Sequence, residues 1–456
     1  MRVLLVKPWL DSFNWYHSHM LGLAYLAGYL RSHGHRVEIL DASFLKLNQA
    51  GLLNSLRQVR TDVVGITSMT HEIPRARIIA AHVKAMNPGV RTVLGGPHAT
   101  ARPAETLMEV PHLDYVVAGE GEQPMERLLE KLDAGDRDFS GVPGVAFRED
   151  GRVAYNGPQT TFLDLASSPQ PAVDLYYTEG WFRDNPRSEY RIFASRGCPF
   201  RCAYCMRVLG NRVRWRPTDA VLEEWENAVR KYGARMVFFH DEIFLYDNPH
   251  TNAILDGILP TGIQRCAAFN AMTHVRLVNE RILRKAKAAN CFKVCIGVES
   301  GNDDILKRVH RNYTIREAAE AVRMIKRSGI RPFTFFILGH PGETHRTLRD
   351  TLRAAMRLNP FEIGMGVMVP YPGTEIYALA KEGKGGYRLL DADWDAYDRY
   401  GGRAMAFANF TRPQLVCYQI LGYLLFFVGN AKFRGMITYF FPKVKAVVRI
   451  LTGRHL

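Results

Sequence analysis

Residues 196–205 read Arg-Gly-Cys-Pro-Phe-Arg-Cys-Ala-Tyr-Cys, which sets Cys198, Cys202 and Cys205 in C-x3-C-x2-C spacing directly after an expected strand. Three thiolates within eight residues can converge on one centre. A structural zinc ion would want a fourth ligand, usually from a second pair at a fixed distance, and no such pair follows. A 4Fe–4S cluster tolerates three thiolates and leaves one iron open to an outside ligand. The remaining reading, three unrelated buried thiols, is a spacing that packing alone rarely produces. Tyr204, just before the third cysteine, would shield the open iron. Seven cysteines in 456 residues are too few for a disulfide scaffold. Of the other four, Cys266 is expected on a barrel strand, Cys291 and Cys295 near another, and Cys417 in an apolar tail. All four are expected as small buried hydrophobes, with a hydrogen-donor role as the sharper alternative.

The elements that must hold such a centre come in two series. In the first 150 residues, Val/Ile/Leu runs at 3–6, 37–40, 62–66, 91–94 and 115–117 alternate with helix-like stretches at about 19–32, 48–59, 73–86, 103–109 and 123–133. Near-continuous apolar strands between helices predict a doubly wound parallel sheet covered on both faces. Ligands of such sheets bind outside the carboxyl ends of the strands. Here those ends carry Thr67-Ser68-Met69-Thr70-His71, Gly95-Gly96-Pro97-His98 and Gly119-Glu120-Gly121-Glu122. A nicotinamide-binding alternative would want G-x-G-x-x-G after the first strand, and the turn reads Lys7-Pro-Trp-Leu-Asp11 instead. Residues 140–189 read as a linker with a small hairpin. From residue 190, expected strands at 191–195, 235–239, 265–270, 293–298, 332–338 and 362–369 alternate with helices, which predicts a partial six-stranded β/α barrel. The α/β chain thus divides into 1–139, 140–189, 190–385 and a helical, basic and apolar 386–456.

Lys and Arg number 60 against 45 Asp and Glu, a net charge of +15. The excess is uneven. Residues 1–150 hold 16 basic and 17 acidic side chains, whereas 412–456 holds seven basic residues and no acid. The run 415–428 is apolar except for Gln419 and is shorter than the roughly 18–20 residues of a membrane span. It is expected either to pack as a helix on the barrel or, with the amphipathic stretch 432–451, to meet a membrane surface or lipid-like substrate. The opening MRVLLVKPWLD lacks the order of a signal peptide, so the expected compartment is the cytoplasm, peripheral to a membrane if 412–456 makes that contact.

With the cysteines and the strand pattern in view, residues 190–385 resemble the radical S-adenosylmethionine superfamily. The resemblance implies that the open iron chelates S-adenosylmethionine, whose cleavage releases a 5′-deoxyadenosyl radical. Further segments follow in the family's order: Phe239-His-Asp-Glu-Ile-Phe244, Ile296-Gly-Val-Glu-Ser-Gly301, Leu338-Gly-His-Pro-Gly-Glu343 and Val369-Pro-Tyr-Pro-Gly-Thr374. Carried over, they make Tyr204, Asp241, Glu242, Glu299, Ser300 and Gly339 the expected S-adenosylmethionine contacts.

The first 135 residues resemble the cobalamin-binding domain fused to many such enzymes. The residues concerned are Leu21-Gly-Leu-Ala-Tyr-Leu-Ala-Gly28, Val64-Gly-Ile-Thr-Ser68, Leu94-Gly-Gly-Pro-His-Ala99 and Val117-Ala-Gly-Glu-Gly-Glu122. No Asp-x-His-x-x-Gly follows the first strand, so the usual histidine to the lower face of cobalt is missing; His71 is one candidate to take its place. Expected cobalamin contacts are Ser68, Met69, Thr70, His71, Gly95, Gly96, Pro97, His98, Gly119, Glu120 and Gly121. Together the resemblances imply a methyltransferase that uses methylcobalamin and the 5′-deoxyadenosyl radical on an unactivated carbon of a small, hydrophobic or anionic molecule. They also imply an external electron donor such as flavodoxin or ferredoxin. A cobalamin-dependent cyclase or ring-rearranging enzyme keeps both cofactors and remains open. A tRNA methylthiotransferase would need amino-terminal cysteines, and none precedes Cys198; a nucleic-acid partner is therefore not expected. A cobalamin sensor would have no need of the triplet.

Overall fold

The computed structural model describes residues 1–10, 18–390, 393–398 and 403–436. The segment just after the first strand, from residue 11 to 17, and the 432–451 stretch from residue 437 onward lie outside them. The chain forms two compact units, one of Met1–Cys198 with Arg207–Val237, the other of Pro199–Met206 with Phe238–Leu456.

The first unit is built on a seven-stranded sheet: β1 (Arg2–Lys7), β2 (Arg36–Asp41), β3 (Val63–Thr67), β4 (Arg91–Gly95), β5 (Tyr115–Val117), β6 (Val145–Glu149) and β7 (Arg152–Tyr155). Their order is β2-β1-β3-β4-β5-β6-β7. The first five are parallel, with Val3 beside both Val37 and Val63. Val3, Leu4, Leu5 and Val6 are all buried, as expected of a strand covered by helices on both faces. The helix Leu21–Ser32 presents Ala24, Ala27 and Gly28 inward. A Cβ on Gly28 would strike the carbonyl of Gln170, because the 170–172 segment runs directly against this helix. The hairpin expected in 140–189 is β6–β7, and it extends the main sheet antiparallel. Asp150 and Gly151 between its strands both adopt positive φ, 48° and 75°, the conformation of a type I′ turn whose twist matches that of paired strands.

The same unit holds β8 (Tyr190–Ile192) and an antiparallel pair, β9 (Ser195–Arg196) with β10 (Arg214–Trp215), between which the cysteine loop leaves and returns. β11 (Met236–Phe239) carries the chain into the second unit. There β12 (Ala268–Thr273), β13 (Cys291–Glu299), β14 (Arg331–Leu338) and β15 (Glu362–Val367) pair in parallel, with helices in every crossover. Cys266 sits ahead of β12 rather than on it and is exposed, as is Cys417, while Cys291 and Cys295 are buried. Two of the four thiols expected in the core are therefore at the surface.

After β15 the chain forms a short antiparallel pair, β16 (Tyr387–Leu389) and β17 (Met405–Phe407), and then the helix Arg412–Gly429. Thr411 and Gln414 cap that helix reciprocally. It packs on β15 and on the helix His345–Leu358. Gln419, the lone polar residue of the 415–428 run, donates to the Met365 carbonyl (2.6 Å), and the Tyr423 hydroxyl accepts from the Met365 amide (2.9 Å). These bonds satisfy backbone groups of β15 that would otherwise be open to a stray strand. Among the described residues no helix is long and apolar enough to cross a membrane.

Candidate functional site

In the second unit the cysteine loop is seated by its backbone. The Ala203 amide donates to Val309 (3.3 Å), and the Ala203 carbonyl accepts from Ile376 (3.2 Å). Ala203 and Tyr204 pack with Val309, Ile376 and Met368. Phe200, between the first two cysteines, stacks on His274 at 3.8 Å and 11°. Burial pushes that imidazole down to about 3, so it serves as a neutral ring.

Cys202 is buried, and Arg311 donates Nη1 to its Sγ at 3.2 Å. The thiol is pulled down to about 5, first by the hydrogen bond from Cys205 and then by the Arg311 charge. The other Arg311 nitrogens reach the Gly297 carbonyl (2.8 Å), Glu299 Oε1 (3.3 Å) and the Tyr313 hydroxyl (3.0 Å). Glu299 ends β13 at a bulge, where Gly297 and Glu299 oppose consecutive residues of β14. Its φ of 66° is left-handed, a strain of about 1–3 kcal/mol for a non-glycine residue and a recurrent mark of functional sites. Burial pushes its carboxyl up, and Arg311 opposes that shift.

The later strand-end loop lies beside this group. His340 Nε2 is 3.4 Å from the Glu299 carbonyl oxygen, and its ring is 6.2 Å from Tyr204. Glu343, pushed up to about 8 by burial, accepts from the amides of Gly339 (2.5 Å) and His340 (3.0 Å). The Gly339 carbonyl accepts from Tyr387 (2.7 Å). Ser300 is fully buried, its hydroxyl 3.2 Å from that of Thr351. Asp241 is buried and Glu242 half-buried in the turn after β11, whose Phe244 and Leu245 amides bond to Met272.

In the first unit, Cys198 follows Gly197, whose φ is 100° and whose Cβ would strike the Arg212 carbonyl. Arg196, two residues earlier, binds Glu122 (2.7 Å) and Glu120 (3.3 Å), and Arg214 binds Glu120 at 2.5 Å. Arg214 also donates Nη1 to the second oxygen (3.0 Å), so both oxygens of the Glu120 carboxylate are engaged by arginine. The strand-end loops meet at the carboxyl side of β3, β4 and β5. The Ser68 amide donates to Gly95 (3.1 Å), and Thr100 Oγ1 donates to Gly96 (2.9 Å) while accepting from the Gly119 amide (3.0 Å). Glu72 pairs with buried Lys7 and accepts from the Met69 amide (2.8 Å), fixing the turn that exposes Met69 and half-buries His71. Thr70 is buried with no partner for its hydroxyl among the described residues. His98 is fully buried and pushed down to about 3 by that burial. Pro97 begins the short helix Pro97–Ala101, and Gly121 precedes the helix Glu122–Asp133.

Residues 16–129 match the B12 binding domain, and residues 192–355 match the Radical SAM superfamily. The chain is 30% identical over 412 residues to an uncharacterized methyltransferase of Pyrococcus horikoshii, across 90% of this chain and 87% of that one. It belongs to the cobalamin-binding radical S-adenosylmethionine family. Another relative, an anaerobic magnesium-protoporphyrin IX monomethyl ester cyclase of Rubrivivax gelatinosus, is 28% identical, covering 83% of this chain and 69% of that one. The radical S-adenosylmethionine methyltransferase TsrM of Kitasatospora setae has the same fold, at TM-score 0.74 and 20% identity over 93% of this chain and 88% of that one. Membership makes this chain a radical S-adenosylmethionine enzyme, with cobalamin, S-adenosylmethionine and a 4Fe–4S cluster as its cofactors. The residues fit such groups. Soft thiols in a three-cysteine loop suit iron and sulfide, and glycine-lined strand ends with an orphaned Thr70 hydroxyl suit a large polar ligand. Among the described residues no three His, Cys, Asp or Glu side chains are grouped to hold a single metal ion.

Sequence patterns missed Arg311, His274, Tyr313, Thr100 and Lys7. None stands in a motif, and Arg311 lies 109 residues from the thiol it meets. The one local hint is a charged residue following the strand Cys291–Glu299 at a distance, which many surface arginines share.

Proposed function

We propose that the protein is a cobalamin-dependent methyltransferase that methylates an unactivated carbon of a small hydrophobic or anionic molecule. What carries this reading is the presence of both domains, with an intact cysteine triplet, in a chain similar over nine-tenths of its length to a methyltransferase. When bound, the cluster with S-adenosylmethionine supplies a hydrogen-abstracting radical, and cobalamin supplies a transferable methyl group. The chain's own work is to bind and orient. Cys198, Cys202 and Cys205 would hold the cluster. Tyr204, Asp241, Glu242, Glu299, Ser300 and Gly339 would contact S-adenosylmethionine, Gly339 through its backbone. Ser68–His71, Gly95–His98 and the Gly119–Gly121 backbone would receive the corrin, and Glu120 would brace its loop through Arg196 and Arg214.

Protein reconstituted anaerobically, with methyl-labelled S-adenosylmethionine and a low-potential donor of the flavodoxin or ferredoxin class, is expected to pass the label to a product carbon. A second reading, oxidative cyclisation, is favoured by the 28% identity to the cyclase. Deoxyadenosine formation with an oxidised product that never carries the label would select it.

We also propose that the helix Arg412–Gly429 rests on an anionic membrane surface. Leu421, Leu425 and Val428 are exposed along it and Phe433 beyond it, in a region whose sequence has seven basic residues and no acid. The full chain should co-sediment with phosphatidylglycerol vesicles, and Leu425→Glu with Val428→Glu should release it. No sedimentation of the native chain would remove the membrane from the picture.

A further inference from the structure

We propose that Arg311 is a positioning residue that raises the reduction potential of the cluster by donating to the sulfur of Cys202, an inference that rests on Cys202 being a cluster ligand. The Arg311 side chain is 8% exposed, and its guanidinium is gripped at every nitrogen. Nη1 faces Cys202 Sγ, Nη2 faces the Gly297 carbonyl and Glu299, and Nε faces Tyr313. Tyr313 is itself anchored, its hydroxyl donating to the Gly297 carbonyl at 2.6 Å. Three separate chain segments thus converge on one cation: the cysteine loop, the end of β13, and the turn after the helix Asp303–Arg308.

The backbone is shaped to allow this. A Cβ at Gly297 would collide with both Glu299 Oε1 and Arg311 Nη2. The two residues that aim the group, Glu299 and His310 just ahead of Arg311, both adopt left-handed φ, 66° and 60°. Strain of this kind persists only where the surroundings over-determine it. A salt bridge to Glu299 alone would not require a fork locked on four partners, one of them a thiol.

The consequence follows from charge. One-electron reduction, with the electron coming from the external donor, adds a unit of negative charge to the centre the sulfur would serve. A fixed, buried cation donating to that sulfur stabilises the reduced form more than the oxidised one. Removing it lowers the potential and makes the same donor less able to deliver its electron. Lysine would keep the charge and lose the fork.

The test is a redox titration of the anaerobically reconstituted full chain without S-adenosylmethionine, read by electron paramagnetic resonance, with iron and sulfide assayed in every sample. At the potential where the native cluster is half reduced, Arg311→Gln should show a reduced-to-oxidised ratio about tenfold lower, with Arg311→Lys between the two. Tyr313→Phe, which frees Nε, should shift in the same direction by less. Equal potentials in native, Arg311→Gln and Tyr313→Phe protein, each with full iron, overturn the proposal while leaving the cluster assignment intact. If Arg311→Gln takes up no iron, Arg311→Lys and Tyr313→Phe decide the matter: native potentials in both overturn it. A native chain that binds no iron through Cys202 overturns the reading beneath it as well.

Discussion

Alanine at Cys202 is expected to yield a folded chain with no iron–sulfur cluster and S-adenosylmethionine cleavage reduced by more than about a thousandfold, since a lost cofactor site removes the chemistry rather than tuning it. The same holds for Cys198 and Cys205. Folding survives because the loop does not depend on its thiols. It is pinned through the Ala203 backbone to Val309 and Ile376, through the Ala203 and Tyr204 side chains to the Met368 cluster, and through the Phe200 stack on His274. Truncating one small thiol, buried at Cys202 and more accessible at Cys198 and Cys205, costs about 1 kcal/mol or little more, well inside ordinary stability. The Arg311 fork keeps Gly297, Glu299 and Tyr313 as partners when Sγ is gone. Iron and sulfide assays with deoxyadenosine chromatography read the result. Cobalamin uptake should be unchanged, because the loops expected to receive it belong to other strands. A triplet variant that retains iron and cleaves S-adenosylmethionine at the native rate would sink the assignment.

The chemistry of this chain was most legible where it is local. C-x3-C-x2-C is a pattern within eight residues, and three close thiols admit few uses. The alternating strands and helices of the first 135 residues were legible for the same reason, since two-sided burial writes itself as unbroken Val, Ile and Leu. What could not be read is what folding brings from afar. Arg311 meets Cys202 across 109 residues, and Arg196 ties Glu120 and Glu122 of the loop after β5 to β9, two residues ahead of Cys198. Gln419 looked like an interruption of an apolar run and is instead the residue that seals β15. Cys266 shows the converse failure. A strand expected at 265–270 begins at Ala268, and the three-residue slip leaves the thiol in solvent.

Substituting Gly96 by alanine is expected to lower cobalamin retention at least about tenfold while leaving cluster assembly and S-adenosylmethionine cleavage near native levels. Gly96 has φ of 100°, a region L-residues rarely adopt, and its Cβ would sit 2.8 Å from the Ser68 carbonyl oxygen and 3.0 Å from the Ser68 nitrogen. Both neighbours are backbone, so neither can rotate away. Strain of about 1–3 kcal/mol at such a position is relieved by moving the loop, which is a smaller cost than unfolding the sheet. The movement does not stay local. Ser68 begins the turn that carries Met69, Thr70 and His71, and Thr100 ties the Gly96 carbonyl to the Gly119 amide, so three strand-end loops shift together. A ligand bound across the carboxyl ends of β3, β4 and β5 would lose contacts in all of them. Gly22→Ala is the matched control: a Cβ there meets nothing within 4 Å, and alanine is the better helix former by about 1 kcal/mol. The control should bind cobalamin normally with unchanged or raised thermal stability. Native cobalamin content in the Gly96→Ala protein, read from the absorbance of the reconstituted and desalted chain, would move the corrin away from these loops.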